Sequence, residues 1–164
     1  MRFTMNGFMF DTNIFNSILD KNIQINLSPE FDYYITHIQF DELNETQIED
    51  RKNELLKIFK EIDQNDIPTE SAIVGISRVG KCKVGNGKLY NLLLVKLQEL
   101  DKKSGKKKRR ENQPRDILIA ETCIIKEIIL VTNDDNLAKV MTEFNGHTKK
   151  LDDFLKNKQI TEIT

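Results

Sequence analysis

Two short, unbroken apolar runs, each closed by an acid, constrain this chain more than any other feature. Phe8-Met9-Phe10 ends in Asp11-Thr12-Asn13, and Ile128-Ile129-Leu130-Val131 ends in Thr132-Asn133-Asp134-Asp135. A strand with one wet face alternates apolar and polar residues. A strand that is apolar throughout has both faces covered, as in a parallel sheet between helical layers. Behind each run the spacing turns helical: Ile14, Phe15, Ile18 and Leu19 after the first, Leu137, Val140, Met141 and Phe144 after the second. Both runs read as strand, turn, helix. Asp11 or Thr12 can cap the first helix, and Asn145-Gly146 stops the second through a left-handed cap.

The stretches between continue the alternation. Tyr33-Tyr34-Ile35-Thr36, behind Ser28-Pro29, reads as a strand and is followed by a helix over 37–43. A longer helix over 45–63 carries Leu55, Leu56, Phe59 and Ile62 on one stripe and stops before Asn65-Asp66-Ile67-Pro68. Further helices are expected over 88–100, with Leu89, Leu92, Leu93, Leu97 and Leu100 inward, and from Gln113-Pro114 onward, with Ile117, Ala120, Ile124 and Ile125 buried. A short strand over 148–151 and a turn over 152–154 close the chain. Residues 71–87 break the pattern: Val74, Ile76, Val79 and Val84 interleave with Gly75, Gly80, Gly85 and Gly87, which suits a hairpin or an irregular insertion. The sum is an α/β chain with a parallel sheet covered on both faces. The 164 residues suit one domain over 1–156, with an insertion-like basic segment at 71–112 and a polar tail at 157–164.

Composition excludes some classes. Mean hydropathy is −0.48, and no apolar stretch approaches the roughly 18 residues a membrane span needs. The run at 8–10 is too short for a signal segment, so a cytoplasmic protein is expected. Cys82 and Cys123 form no CxxC pattern and read as packing residues. Net charge is −1, yet residues 102–110 read Lys-Lys-Ser-Gly-Lys-Lys-Lys-Arg-Arg, and residues 41–70 are rich in acids. A local basic patch can steer a polyanion even when the total is near zero.

Ligands of parallel sheets gather outside the carboxyl ends of the strands. Asp11 and Asp134 stand at such ends, and Glu42 and Asp116 lie on helices that flank them. Carboxylates gathered without cations repel one another, and a hard divalent metal is the usual remedy. Taken singly, each acid after a strand is as good a helix cap as a ligand.

The ordered set carries more. Phe10-Asp11-Thr12-Asn13, Phe40-Asp41-Glu42-Leu43, Asp116-Ile117-Leu118-Ile119-Ala120 and Leu130-Val131-Thr132-Asn133-Asp134 resemble, in order and rough spacing, the four successive motifs of PIN-domain nucleases. The resemblance covers nearly the whole chain. It implies a three-layer α/β/α sandwich with a mostly parallel central sheet. It also implies Mg²⁺- or Mn²⁺-dependent hydrolysis of phosphodiesters, most often in RNA. Carried over motif by motif, Asp11, Glu42, Asp116 and Asp134 resemble the catalytic metal-binding acids, with Asn13 and Thr132 in support. Many members carry a further acid two residues after the fourth. Here that position is Asn136, and Asp135 is the substitute ligand at hand. Substrate phosphate is expected at Arg115 and at Lys106, Lys107, Lys108, Arg109 and Arg110.

Small members of the family are often VapC-type toxins, held by a protein antitoxin and dimeric. Others mature or degrade RNA. A catalytically inactive RNA-binding or scaffold module is the alternative that the Asn136 departure raises.

Overall fold

The computed structural model describes residues 7–62, 64–107 and 112–159, with side chains to residue 156. The elements run β1 (Gly7–Phe10), α1 (Thr12–Asp20), β2 (Asp32–Ile35), α2 (His37–Asn44), α3 (Glu49–Glu61), β3 (Asn65–Asp66), α4 (Lys88–Ser104), α5 (Asn112–Lys126), β4 (Ile129–Val131), α6 (Asp135–Glu143), β5 (His147–Lys149) and α7 (Leu151–Gln159). The five strands are all parallel, in the order β3-β2-β1-β4-β5. The expected α/β/α layering is what the chain adopts.

Side-chain alternation on the central strands builds the two cores. Phe8 and Phe10 of β1, with Val131 of β4, point to one face, where Ile14, Phe15 and Ile18 of α1, Leu55 and Phe59 of α3, and Leu151 and Phe154 of α7 cover them. Met9 and Leu130 point to the other, against Leu93 and Leu97 of α4, Ile117 to Ala120 of α5, and Leu137, Val140 and Met141 of α6. Met9, Phe10, Leu130 and Val131 are fully buried, so β1 and β4 are apolar throughout because both faces are covered. Burying each such large side chain contributes about 1.5–3 kcal/mol.

α2 straddles the sheet end, with Ile38 in one core and Leu43 in the other. Its start is fixed by a capping box. Gln39 Oε1 accepts from the Thr36 N–H at 3.0 Å, and Thr36 Oγ1 accepts from the Ile38 N–H at 3.3 Å. Gln39 Nε2 also donates to the Phe10 carbonyl at 3.2 Å, tying α2 to the last residue of β1.

Several boundaries differ from the expectation. α3 begins at Glu49 rather than 45, because the Glu45 N–H still closes α2 onto the Asp41 and Glu42 carbonyls. β3 has two exposed polar residues, and nothing in such a sequence announces a strand. The expected turn at 152–154 is the first part of α7, whose Leu151 and Phe154 are buried. Residues 71–87 form no hairpin; their one strand-like contact is a parallel bridge from Cys82 to Thr69. At the end of α6 the left-handed residue is Asn145 (φ 62°), not Gly146. Gly146 is needed for space, since a Cβ there would meet Ile124 and Met141 atoms at 2.9 Å. Among the described residues no helix is long and apolar enough to cross a membrane.

Candidate metal centre

The strand order fixes where chemistry can sit. From β1 the chain moves outward through β2 to β3, then returns to place β4 on the other side of β1. The connections leaving β1 and β4 diverge, and a crevice opens between their carboxyl ends. Asp11 follows β1 directly, and its N–H donates to the Val131 carbonyl at the end of β4 (3.0 Å). Thr132 follows β4. Its hydroxyl donates to Asp11 Oδ2 at 2.9 Å and accepts from the Asp134 N–H at 3.1 Å. Asp11 and Thr132 are both 2% exposed. One buried hydroxyl thus links Asp11 to the Asp134 turn.

Asp134 is also the N-cap of α6. Its Oδ1 accepts from the N–H groups of Asn136 (2.9 Å) and Leu137 (3.1 Å). Asp11 occupies the N-cap position of α1 but makes no side-chain cap bond. The two acids that were equally plausible as caps therefore separate: Asp134 caps its helix, and Asp11 is aimed at Thr132.

Glu42 comes from the side on α2. Burial, above all, pushes its carboxyl from the ordinary 4.5 up to about 7; the Thr12 hydroxyl lowers it, Asp11 raises it, Arg115 lowers it and Glu45 raises it. Its Oε1 is buried and accepts no hydrogen bond. Glu42 therefore lies within electrostatic reach of Asp11, in a spot that disfavours its own charge.

Asp116, the fifth residue of α5, is 7% exposed. Arg115, just before it, makes a two-pronged pair with Glu45 (2.7 Å at each prong). Lys106 places its ammonium 3.0 Å from Asp134 Oδ1. Lys107 is exposed, and Lys108, Arg109 and Arg110 lie outside the described residues. Asn13 is exposed near the start of α1. Asp135 is turned outward, 66% exposed and paired with Lys150 at 3.1 Å. Adjacent helix positions face apart, and the inward one is Asn136.

Asn136 leads to a residue that sequence reasoning missed. Its Nδ2 donates to Asp101 Oδ1 at 2.8 Å, and Gln113 Nε2 donates to Asp101 Oδ2 at 2.9 Å. Asp101 is 2% exposed on α4. The signal was present: Leu93, Leu97 and Asp101 share one inward stripe at a spacing of four. Cys123 packs against Met9, 3.7 Å between sulfurs, and burial, reinforced by Asp11, holds it as a thiol.

The donors suit a hard cation in kind: they are carboxylates, with a buried Glu42 oxygen lacking any donor. Among the described residues, no three acids, histidines or cysteines yet converge closely enough to hold a metal.

Five parallel strands between two helical layers define a three-layer α/β/α fold. The particular version is the PIN fold. The solved VapBC-1 structure from nontypeable Haemophilus influenzae superposes with a TM-score of 0.50 at 16% identity, over 88% of this chain and 97% of that one. VapBC2 from Rickettsia felis, solved bound to a DNA fragment from its promoter, gives 0.46 at 16% identity, over 88% and 98%. No protein-family profile and no curated protein matches the sequence.

Proposed function

We propose that this chain is a metal-dependent endoribonuclease, with Asp11, Glu42, Asp116 and Asp134 as its Mg²⁺- or Mn²⁺-binding acids. The observation that carries the reading is the buried Thr132 hydroxyl, which joins Asp11 to the Asp134 turn at the mouth between β1 and β4. A divalent cation bound there would supply the positive charge that stabilises attacking and leaving oxygens in an in-line displacement.

The chain's own groups do the rest. Thr132 orients Asp11 through its Oδ2. Glu42 can exchange a proton near neutral pH, because its carboxyl titrates near 7. Arg115 and the lysines before α5 offer positive charge to the RNA backbone, which fixes register without reading sequence. No side-chain nucleophile is required.

The likeness to VapBC-1 over 97% of that chain supports a toxin setting with a protein antitoxin as partner, and a homodimer is part of the same proposal. Two free cysteines suit a reducing cytoplasm. Incubation of the pure protein with mixed structured and single-stranded RNA tests the activity: cleavage with Mn²⁺ and none with EDTA is expected. Growth arrest on expression, relieved by an adjacent gene product, tests the toxin setting.

A second reading, an inactive RNA-binding or scaffold module, is favoured by one observation: Asn136 stands where an acid would add a ligand and is bonded to Asp101 instead. Failure of the pure protein to bind Mn²⁺ would select it.

A further inference from the structure

We propose that Lys106 is the built-in counter-cation of the carboxylate site, seated on Asp134 until a divalent cation displaces it and releases its ammonium toward substrate phosphate. The inference rests on the metal-site reading of the acids and adds a regulatory step to it.

Lys106 Nζ lies 3.0 Å from Asp134 Oδ1, and the Asp134 side chain is only 11% exposed. That oxygen also accepts the Asn136 and Leu137 N–H groups. An ammonium is thus among the groups that the Asp134 carboxylate binds beside the end of β4. An exposed ion pair alone would be weak, since side-chain entropy offsets its attraction. Here the backbone that delivers the lysine is fixed.

Gly105 ends α4 in the left-handed conformation (φ 69°), which turns the chain back toward the site. The next N–H, that of Lys106, donates to the Asp101 carbonyl at 3.0 Å. The Asp101 side chain grips Gln113 in the first turn of α5 and Asn136 in the first turn of α6. Asn136 Nδ2 also donates to Ser104 Oγ at 3.0 Å. One buried carboxylate thus pins both ends of the link from α4 to α5 beside the helix that Asp134 caps. Lys106 can leave Asp134 by side-chain rotation alone, with its backbone still held.

The consequence is competition. A divalent cation at Asp134 meets an ammonium already there and must expel it. Once expelled, the ammonium stands beside the site on a fixed backbone, at the start of a basic run.

The test is calorimetric titration of Mn²⁺ into metal-free wild type, Lys106→Gln and Lys103→Gln, at low and high ionic strength. Lys103 is an exposed lysine in the last turn of α4, so its variant removes the same charge without touching Asp134. Lys106→Gln should bind Mn²⁺ about threefold to tenfold tighter than wild type at low salt, with a smaller gap at high salt. Lys103→Gln should stay within about twofold of wild type. Melting should show the same competition: Lys106→Gln melts below wild type without metal, and the two converge in saturating Mn²⁺. Equal or weaker binding by Lys106→Gln would overturn the inference, as would equal tightening by Lys103→Gln, which would signal a general field effect. Absence of Mn²⁺ binding in all three proteins would overturn the metal-site reading itself, and the inference with it.

Discussion

The mouth between β1 and β4 and the segment over residues 67–87 are both irregular backbone, but different forces hold them. At the mouth, strands with no polar inward residue run to their last position before the chemistry begins. Met9, Phe10, Leu130 and Val131 are fully buried, and Asp11 and Thr132 follow at once. Apolar burial sets the position of the acids to within a residue. In the segment, Val74, Val79 and Val84 face solvent almost completely. Polar pegs set its path instead. Ser71 Oγ donates to buried Glu121 at 2.9 Å, and the Glu70 N–H donates to Thr122 Oγ1 at 3.3 Å. Arg78 pairs with Asp41, and its N–H donates to His37 Nε2 at 3.4 Å. These pegs bring the segment against α2, one residue from Glu42. Burial therefore supplies most of the stability at the mouth, and pairwise polar contacts supply placement in the segment.

The largest stability effect should follow from attacking the mouth's support. Leu130→Ala, in the middle of β4, should cost about 2–5 kcal/mol by denaturant unfolding. A cost below about 1 kcal/mol would break the contrast, because polar contacts would then be holding the strands as well.

The next effect is the pH dependence set by Glu42. Its folded carboxyl titrates near 7, above its ordinary 4.5. The folded state then holds a proton that the unfolded chain has lost. Metal-free stability should be highest below about pH 4.5 for this group and fall as pH rises to about 7, by up to roughly 3 kcal/mol. Glu42→Gln should flatten that slope, and saturating Mn²⁺ should reverse it, because cation binding expels the proton. An unchanged slope in the variant would assign the effect to another group.

Loss of one peg should cost less. Ser71→Ala removes the hydroxyl that donates to the buried Glu121 carboxyl, whose Oε2 already has no donor. About 1–3 kcal/mol of stability should be lost, with RNA cleavage retained. Burial already raises the Glu121 pKa, and the Ser71 hydroxyl opposes that rise, so the variant should raise it further. The smallest effect belongs to the segment's surface: Val79→Ser should change stability by less than about 0.5 kcal/mol in thermal melts. A larger loss would mean that this valine is covered in solution.

The same contrast explains what could be read from the sequence. Apolar runs at 8–10 and 128–131 announced β1 and β4, and the acids behind them marked the mouth, because local periodicity reports burial. The segment was unreadable beyond its glycines, because its path depends on partners 41 to 52 residues away, such as His37, Glu121 and Thr122. Asp135 and Asn136 could not be told apart until the start of α6 was fixed, since one residue of register decides which faces inward. Asp101 was hidden in a helix that reads as leucine-rich, although its place on the inward stripe was visible.

The most direct test of the central claim, that the mouth between β1 and β4 is a metal-dependent hydrolytic site, is the rate of RNA cleavage by wild type and Asp11→Asn in Mn²⁺, with both proteins shown to be folded. Removing one ligand charge should withdraw several kcal/mol of transition-state stabilisation. The account predicts a rate roughly 10²- to 10³-fold lower in the variant. Equal rates in a folded Asp11→Asn protein would contradict it and place the chemistry elsewhere.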